Sequence, residues 1–152
     1  MNMQINIIKE FLKSQKWQFT QVKGENVLLF GIDGINGKFQ CIANLIKKEK
    51  RFIFFSVCGA NTPPNKKQSM LELLNYLNYE LFFGNFEMDL EEGEIRFRTS
   101  ISLKNIELNQ NLIEELIMTS IITMDKSLPS ILGLMFKELN IEKALELSTK
   151  KN

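Results

Sequence analysis

The sequence predicts an α+β fold, an antiparallel β-sheet flanked by helices. Three observations lead to it. Residues 94–103 alternate cleanly: Ile95, Phe97, Thr99, Ile101 and Leu103 fall on one side of a two-residue period, and Glu94, Arg96, Arg98, Ser100 and Ser102 on the other. Such a strand is half buried, with one face on a core and one face free. Between residues 17 and 58, short apolar runs are separated by turn residues, which reads as hairpins. From residue 112 onward the apolar period lengthens to that of a helix.

The elements follow in order. Met3, Ile7, Ile8, Phe11 and Leu12 recur at spacings of three and four, so residues 3–15 form an amphipathic helix. Trp17, Phe19 and Val22 alternate with polar residues as a first strand, and Lys23–Asn26 is a turn. Val27–Ile32 is a second strand. Gly31–Gly37 holds three glycines with Asp33 and Asn36, and reads as a hairpin loop; it matches no phosphate-binding pattern. A third strand over 38–46 sets Phe39, Cys41, Ala43 and Leu45 on one face. The Lys47–Lys50 turn leads into Phe52–Cys58, which has so few polar residues that it should be central.

Pro63 and Pro64 open a helix whose buried stripe is Met70, Leu73, Leu74 and Leu77, with Asn78 as its left-handed terminator. A fifth strand is expected over 81–90. Pairing it with 94–103 in the register Leu90–Ile95, Met88–Phe97 and Phe86–Thr99 puts both apolar faces on one side. The outer face then pairs Asp89 with Arg96 and Glu87 with Arg98. The last long helix begins at Asn109 or Asn111 and carries Leu112, Ile113, Leu116, Ile117, Ser120, Ile121 and Met124. Pro129 deprives the carbonyl of Asp125 of its amide donor, so a kink or break is expected near 125–127, with Ser127 as a new cap. Residues 141–148 form a short amphipathic helix, and the lysine-rich end beyond it should fray.

Composition narrows the function. One domain spanning 1–152 is expected, with 44% hydrophobic and 24% charged residues. The net charge is +1, which calls for no nucleic acid. No apolar run is long enough for a membrane span, and no signal segment opens the chain, so a cytoplasmic protein is expected. The chain has no histidine, which removes the usual general base and the commonest metal ligand. Cys41 and Cys58 lie in apolar strands and read as buried free thiols. No motif asks for a cofactor or a metal, and the chain reads as no enzyme.

Four constellations merit weighing as sites. Glu87 and Asp89 share a face, as acid–base work would require, but an exposed hairpin supplies no desolvated cleft. Arg96 and Arg98 could hold an anion, although Glu87 and Asp89 are partners within the chain. Asp125 stands in an otherwise apolar helix. It either accepts bonds from a neighbouring element or meets a ligand. The glycine loop completes the set, as a turn.

Pro63-Pro64, Asn78-Tyr79, Gly84-Asn-Phe-Glu87, Gly93-Glu94-Ile-Arg96, Arg98-Thr-Ser100, Met124-Asp125 and Leu128-Pro129 together resemble the YbjN family of bacteria, in particular its cyanobacterial type. The match runs from about Gly37 to Pro129. The resemblance implies a type III secretion chaperone-like fold, a protein client or regulatory partner, and a homodimer. It also implies a role in sensory transduction or stress regulation, with no agreed catalytic set. The expected function is therefore a non-catalytic, chaperone-like protein-binding or regulatory module. Asn85, Glu87, Arg96 and Arg98 are its candidate contact residues, and Asp125 is a structural or ligand residue. The alternatives are a small-molecule sensor with a ligand between sheet and helices, and a carboxylate-dependent hydrolase.

Overall fold

In a computed structural model describing residues 2–149, the strands form one antiparallel sheet with the helices gathered on one of its faces. The order along the chain is α1 (Asn2–Ser14), β1 (Phe19–Gln21), β2 (Val27–Asp33), β3 (Lys38–Ile46), β4 (Arg51–Cys58), α2 (Lys67–Tyr79), β5 (Asn85–Met88), β6 (Ile95–Ser102), α3 (Gln110–Phe136) and α4 (Ile141–Thr149). A short 3-10 turn, Pro64–Lys66, leads into α2. The spatial order is β1-β2-β3-β4-β6-β5. The strand read as central, β4, is central. The lysine-rich end expected to fray, residues 150–152, lies outside the described residues.

Alternation dictates the layers. Phe30, Cys41, Ser56, Phe97 and Phe86 form one inward row across five strands, and Leu28, Ala43, Phe54 and Thr99 the next. All are buried, and α3 lies over them with Ile113, Leu116, Ile117, Met124, Leu128 and Ile131. Burying a side chain of this kind stabilises by roughly 1.5–3 kcal/mol. Two polar bridges cross the same layer. Ser56 Oγ and Ser120 Oγ lie 2.8 Å apart, and Thr99 Oγ1 donates to the Leu116 carbonyl at 2.8 Å. Each satisfies hydroxyls that would otherwise be costly in the core.

Three expectations need correction. The first is the β5–β6 register. Phe86 stands opposite Phe97, Glu87 opposite Arg96 and Met88 opposite Ile95. The pairing is thus displaced by two residues, and β5 is shorter than the 81–90 expected. Asp89 is consumed by the turn: its N–H donates to the Glu94 carbonyl, its carbonyl accepts from Gly93 N–H, and its Oδ1 accepts from Glu91 N–H. A displacement of two leaves every side chain on its expected face; the expected Asp89–Arg96 pair is lost, while Glu87 still reaches Arg98 diagonally, at 2.8 Å.

The second concerns Pro129. No break occurs; α3 runs unbroken for 27 residues, and Ser127 is a buried residue within it rather than a cap. The Asp125 carbonyl that Pro129 leaves without an amide accepts instead from Asn36 Nδ2 at 3.1 Å. The Asp125 carboxylate accepts from Asn36 N–H at 2.8 Å and Ile35 N–H at 3.2 Å. The β2–β3 hairpin tip is thereby fastened across the proline gap. Gly34 permits the approach, since a Cβ there would lie 2.3 Å from Asp125 Oδ1.

The third is Asn78. The helix passes through it and ends at Tyr79, with Glu80 as its cap residue in a right-handed conformation. Asn78 Oδ1 accepts from Phe86 N–H at 2.7 Å, and its Nδ2 donates to the Phe86 carbonyl at 3.1 Å. The side-chain amide thus plugs the outward backbone groups of the edge strand β5. At the start of α3 the two options resolve in favour of Asn109, whose Oδ1 accepts from Leu112 N–H at 3.0 Å.

Candidate functional site

With the helices on one side, the other face of the sheet is left uncovered. Alternation sends Leu29, Ile42, Phe55, Arg98 and Asn85 to it in one continuous row across β2, β3, β4, β6 and β5. Gln40, Val57, Arg96 and Glu87 form the neighbouring row, and Asn44, Ile53 and Ser100 the row on the other side. Solvated sheet faces are usually polar. Here Leu29, Ile42, Ile53, Phe55 and Val57 make a contiguous apolar strip, and none of them belongs to the hydrophobic core. Leu29 is 38% exposed.

The strip ends in a charged platform. Phe55 is buried even though no helix covers it, because two guanidinium groups lie over its ring, Arg96 at 4.3 Å and Arg98 at 5.1 Å from the centroid. Such cation–ring contacts contribute about 0.5–2 kcal/mol each. Both arginines also bond one carboxylate oxygen: Arg96 Nε donates to Glu87 Oε1, and Arg98 Nη2 donates to the same atom at 2.8 Å. Partial burial tends to raise the Glu87 pKa. The hydrogen bonds from Arg98 and Arg96, with their charges, outweigh it and hold the carboxyl below its usual 4.5. Arg98 Nε is buried with no acceptor.

Of the candidate residues, Asn85, Glu87, Arg96 and Arg98 come together on this face. Asn85 is exposed beside Arg98, at the outer end of the row. Asp125 lies elsewhere, at the hairpin latch, and lines an open cleft of about 810 Å³ with Trp17, Ile32, Ile121 and Lys126. Its carboxylate oxygens are engaged by loop amides. Glu87 and Asp89 border one small cavity together with Glu94 and Arg96. Asp89 is exposed in a turn, and Glu87 is held ionised, the opposite of the raised pKa a general acid needs. Among the described residues no cluster of His, Cys, Asp or Glu could hold a metal. Cys41 and Cys58 are free and buried, and burial pushes the Cys41 thiol up to about 12. No described helix is long and apolar enough to cross a membrane.

Sequence reasoning missed the apolar strip itself. The run Phe52–Cys58 is central as its composition predicts, but only one layer of helices exists, so its outward residues are left without a helix over them. The signal was present in Ile42, Ile53, Phe55 and Val57, apolar on the outward parity of consecutive strands.

This sheet, with its glycines at 84 and 93 and its Arg96–Glu87–Arg98 cluster, has the same segments that carry the YbjN resemblance. The sequence model of that family, described as "Putative bacterial sensory transduction regulator", matches residues 4–132. The chain belongs to the YbjN family. The chain is also similar to two solved structures of low identity. One is the crystal structure of "YbjN, a putative transcription regulator from E. coli", at 11% identity and a TM-score of 0.58, covering 80% of this chain and 85% of that one. The other is the ExsC–ExsE complex, at 12% identity and a TM-score of 0.57, covering 78% and 85%. At such identities the likeness shows the fold alone, and it is the chaperone-like α+β class expected from the sequence. No curated protein matches the sequence significantly.

Proposed function

We propose that this YbjN-family chain is a non-catalytic protein-binding module of the cytoplasm that docks its partner on the uncovered face of the sheet. The observation that carries the reading is the apolar strip from Leu29 to Phe55, which continues into the Arg96–Glu87–Arg98 platform. An uncovered apolar strip rimmed by polar groups is the surface a partner removes from water. Asn85, Glu87, Arg96 and Arg98 are then contact residues, and Asp125 is structural. The family's description as a regulator and the bound partner in the ExsC–ExsE complex support the reading.

Affinity capture from native lysate tests it. A protein retained by wild type and lost with Ile42→Glu, at unchanged melting temperature, supports the proposal. Equal retention by both, or nothing specific with wild type, overturns it.

For the expected homodimer we propose a different patch, the exposed aromatics around the α2–β5 connection, where Tyr79 is 85% and Tyr76 57% exposed. Asn78 blocks the β5 edge beside them, so a dimer here joins through side chains rather than by extending the sheet. Light scattering should give two chains for wild type and one for a Tyr79→Ser, Phe82→Ser variant. The open cleft lined by Asp125 supports the small-molecule sensor as a second reading, and stabilisation by a metabolite in a thermal-shift screen would favour it.

A further inference from the structure

We infer that the cleft beside the hairpin latch is a binding site for a small, uncharged, largely apolar molecule. The inference rests on the small-molecule reading above and names the class of ligand. The docking face is independent of it.

The cleft exists because two neighbouring strands differ in length. β2 runs on to Asp33, but β1 pairs with it only at Leu28, Leu29 and Phe30. The end of α1 is the cause. Lys16 takes a left-handed conformation, with φ 62°, and its N–H donates to the Lys13 carbonyl while Trp17 N–H donates to the Leu12 carbonyl. This helix-ending turn brings the chain into the sheet too late to flank the last residues of β2. Gly31, Ile32 and Asp33 are left without a neighbouring strand on that side, and they line the cleft. Trp17 stands at its wall, stacked on Phe30 with 5.5 Å between ring centroids and 14° between planes.

Shape argues for a small molecule. The walls come from five segments: the α1–β1 connection, the end of β2, the hairpin tip, α3 and, through Ser148, the end of α4. A docking face for a protein is commonly drawn from one sheet or one helix, as the uncovered sheet face is here. A concavity of about 810 Å³ enclosed by several segments has the size and build of a small-ligand site. Gly31 and Gly34 bring no side chains to fill it.

Chemistry argues for an uncharged apolar occupant. Trp17, Ile32 and Ile121 supply apolar wall, and Ile35 and Ile122, also lining, are 91% and 57% exposed. The charged residues lining the cleft balance, Lys16 and Lys126 against Asp33 and Asp125. An entering ion meets a like charge for each opposite one, and gives up its hydration for no net attraction. An uncharged apolar molecule avoids that loss and takes the exposed isoleucines out of water.

Trp17 is the one tryptophan of the chain, so occupancy is read at the site itself. The full chain is titrated with N-phenylnaphthylamine, which is uncharged, and with anilinonaphthalene sulfonate, the same ring system carrying an anionic group. The uncharged dye should saturate at one per chain, quench Trp17 by energy transfer, and bind at least as tightly as the sulfonate. Ile122→Glu, and separately Ile35→Glu, should weaken it about tenfold at unchanged melting temperature. Ile42→Glu, on the outer face of the sheet, should leave it unchanged. Tighter binding of the sulfonate than of the uncharged dye overturns the uncharged class and leaves the cleft standing as a site. Absence of saturable quenching, or quenching that Ile42→Glu weakens and neither cleft variant does, overturns the site and the sensor reading with it. Quenching that none of the three variants weakens does the same.

Discussion

Asn36→Ala removes the amide that takes the place of the one missing at Pro129. The donor lies 3.1 Å from the Asp125 carbonyl at a half-buried site, where a hydrogen bond is worth about 1 kcal/mol net. In the Pro129→Ala background, residue 129 has an N–H of its own, and the carbonyl four residues back is satisfied within the helix. Asn36→Ala should therefore cost about 1 kcal/mol more with Pro129 than with alanine there, a coupling that a double-mutant cycle isolates. The backbone bond from Asn36 N–H to Asp125 Oδ1 is present in all four proteins and cancels. Urea unfolding reads the effect: at a slope of about 2 kcal/mol per molar, the midpoint should fall about 0.5 M further with proline in place. Equal losses in both backgrounds, within about 0.3 kcal/mol, would refute the claim that Asn36 completes the helix.

Glu87 should leave a mark on the acid limb of stability. Its folded pKa is lowered from 4.5, so its contribution is fully present above 4.5 and is lost as pH falls through the folded value. The stability difference between wild type and Glu87→Gln should be flat above 4.5 and shrink below it in pH-dependent urea melts. The Cys41 thiol, pushed up to about 12 by burial, should resist an aromatic disulfide reagent at about pH 8 until denaturant is added, as should Cys58. Fast modification of the native chain would contradict that burial. Asn78→Ala should cost about 1–2 kcal/mol by exposing the Phe86 N–H and carbonyl. It should also make light scattering concentration-dependent, because the β5 edge is then open to another chain.

The sequence was most legible where a period governs structure. The third strand was read at the observed bounds, and Phe39, Cys41, Ala43 and Leu45 are all buried. The buried stripes of α2 and α3 were read with similar fidelity, since a helix repeats its contact face every turn. What was illegible depends on residues distant in sequence. Asn36 and Asp125 are 89 apart, and nothing local to Pro129 signals that a hairpin tip will supply its missing bond. Asn78 suggested a helix end because asparagine often serves there; its use as an edge plug depends on where β5 lies.

The contact face shows the same division. Composition and alternation alone determined that this chain is an α+β protein with no histidine chemistry, and that Glu87, Arg96 and Arg98 look outward. Tertiary structure decided that one carboxylate serves both arginines, that Phe55 lies beneath them, and that apolar residues of β2, β3 and β4 extend the surface. The reason is geometric. A two-residue period fixes which face a side chain takes, but register and layer count fix what it meets there, and both are set by how distant elements pack.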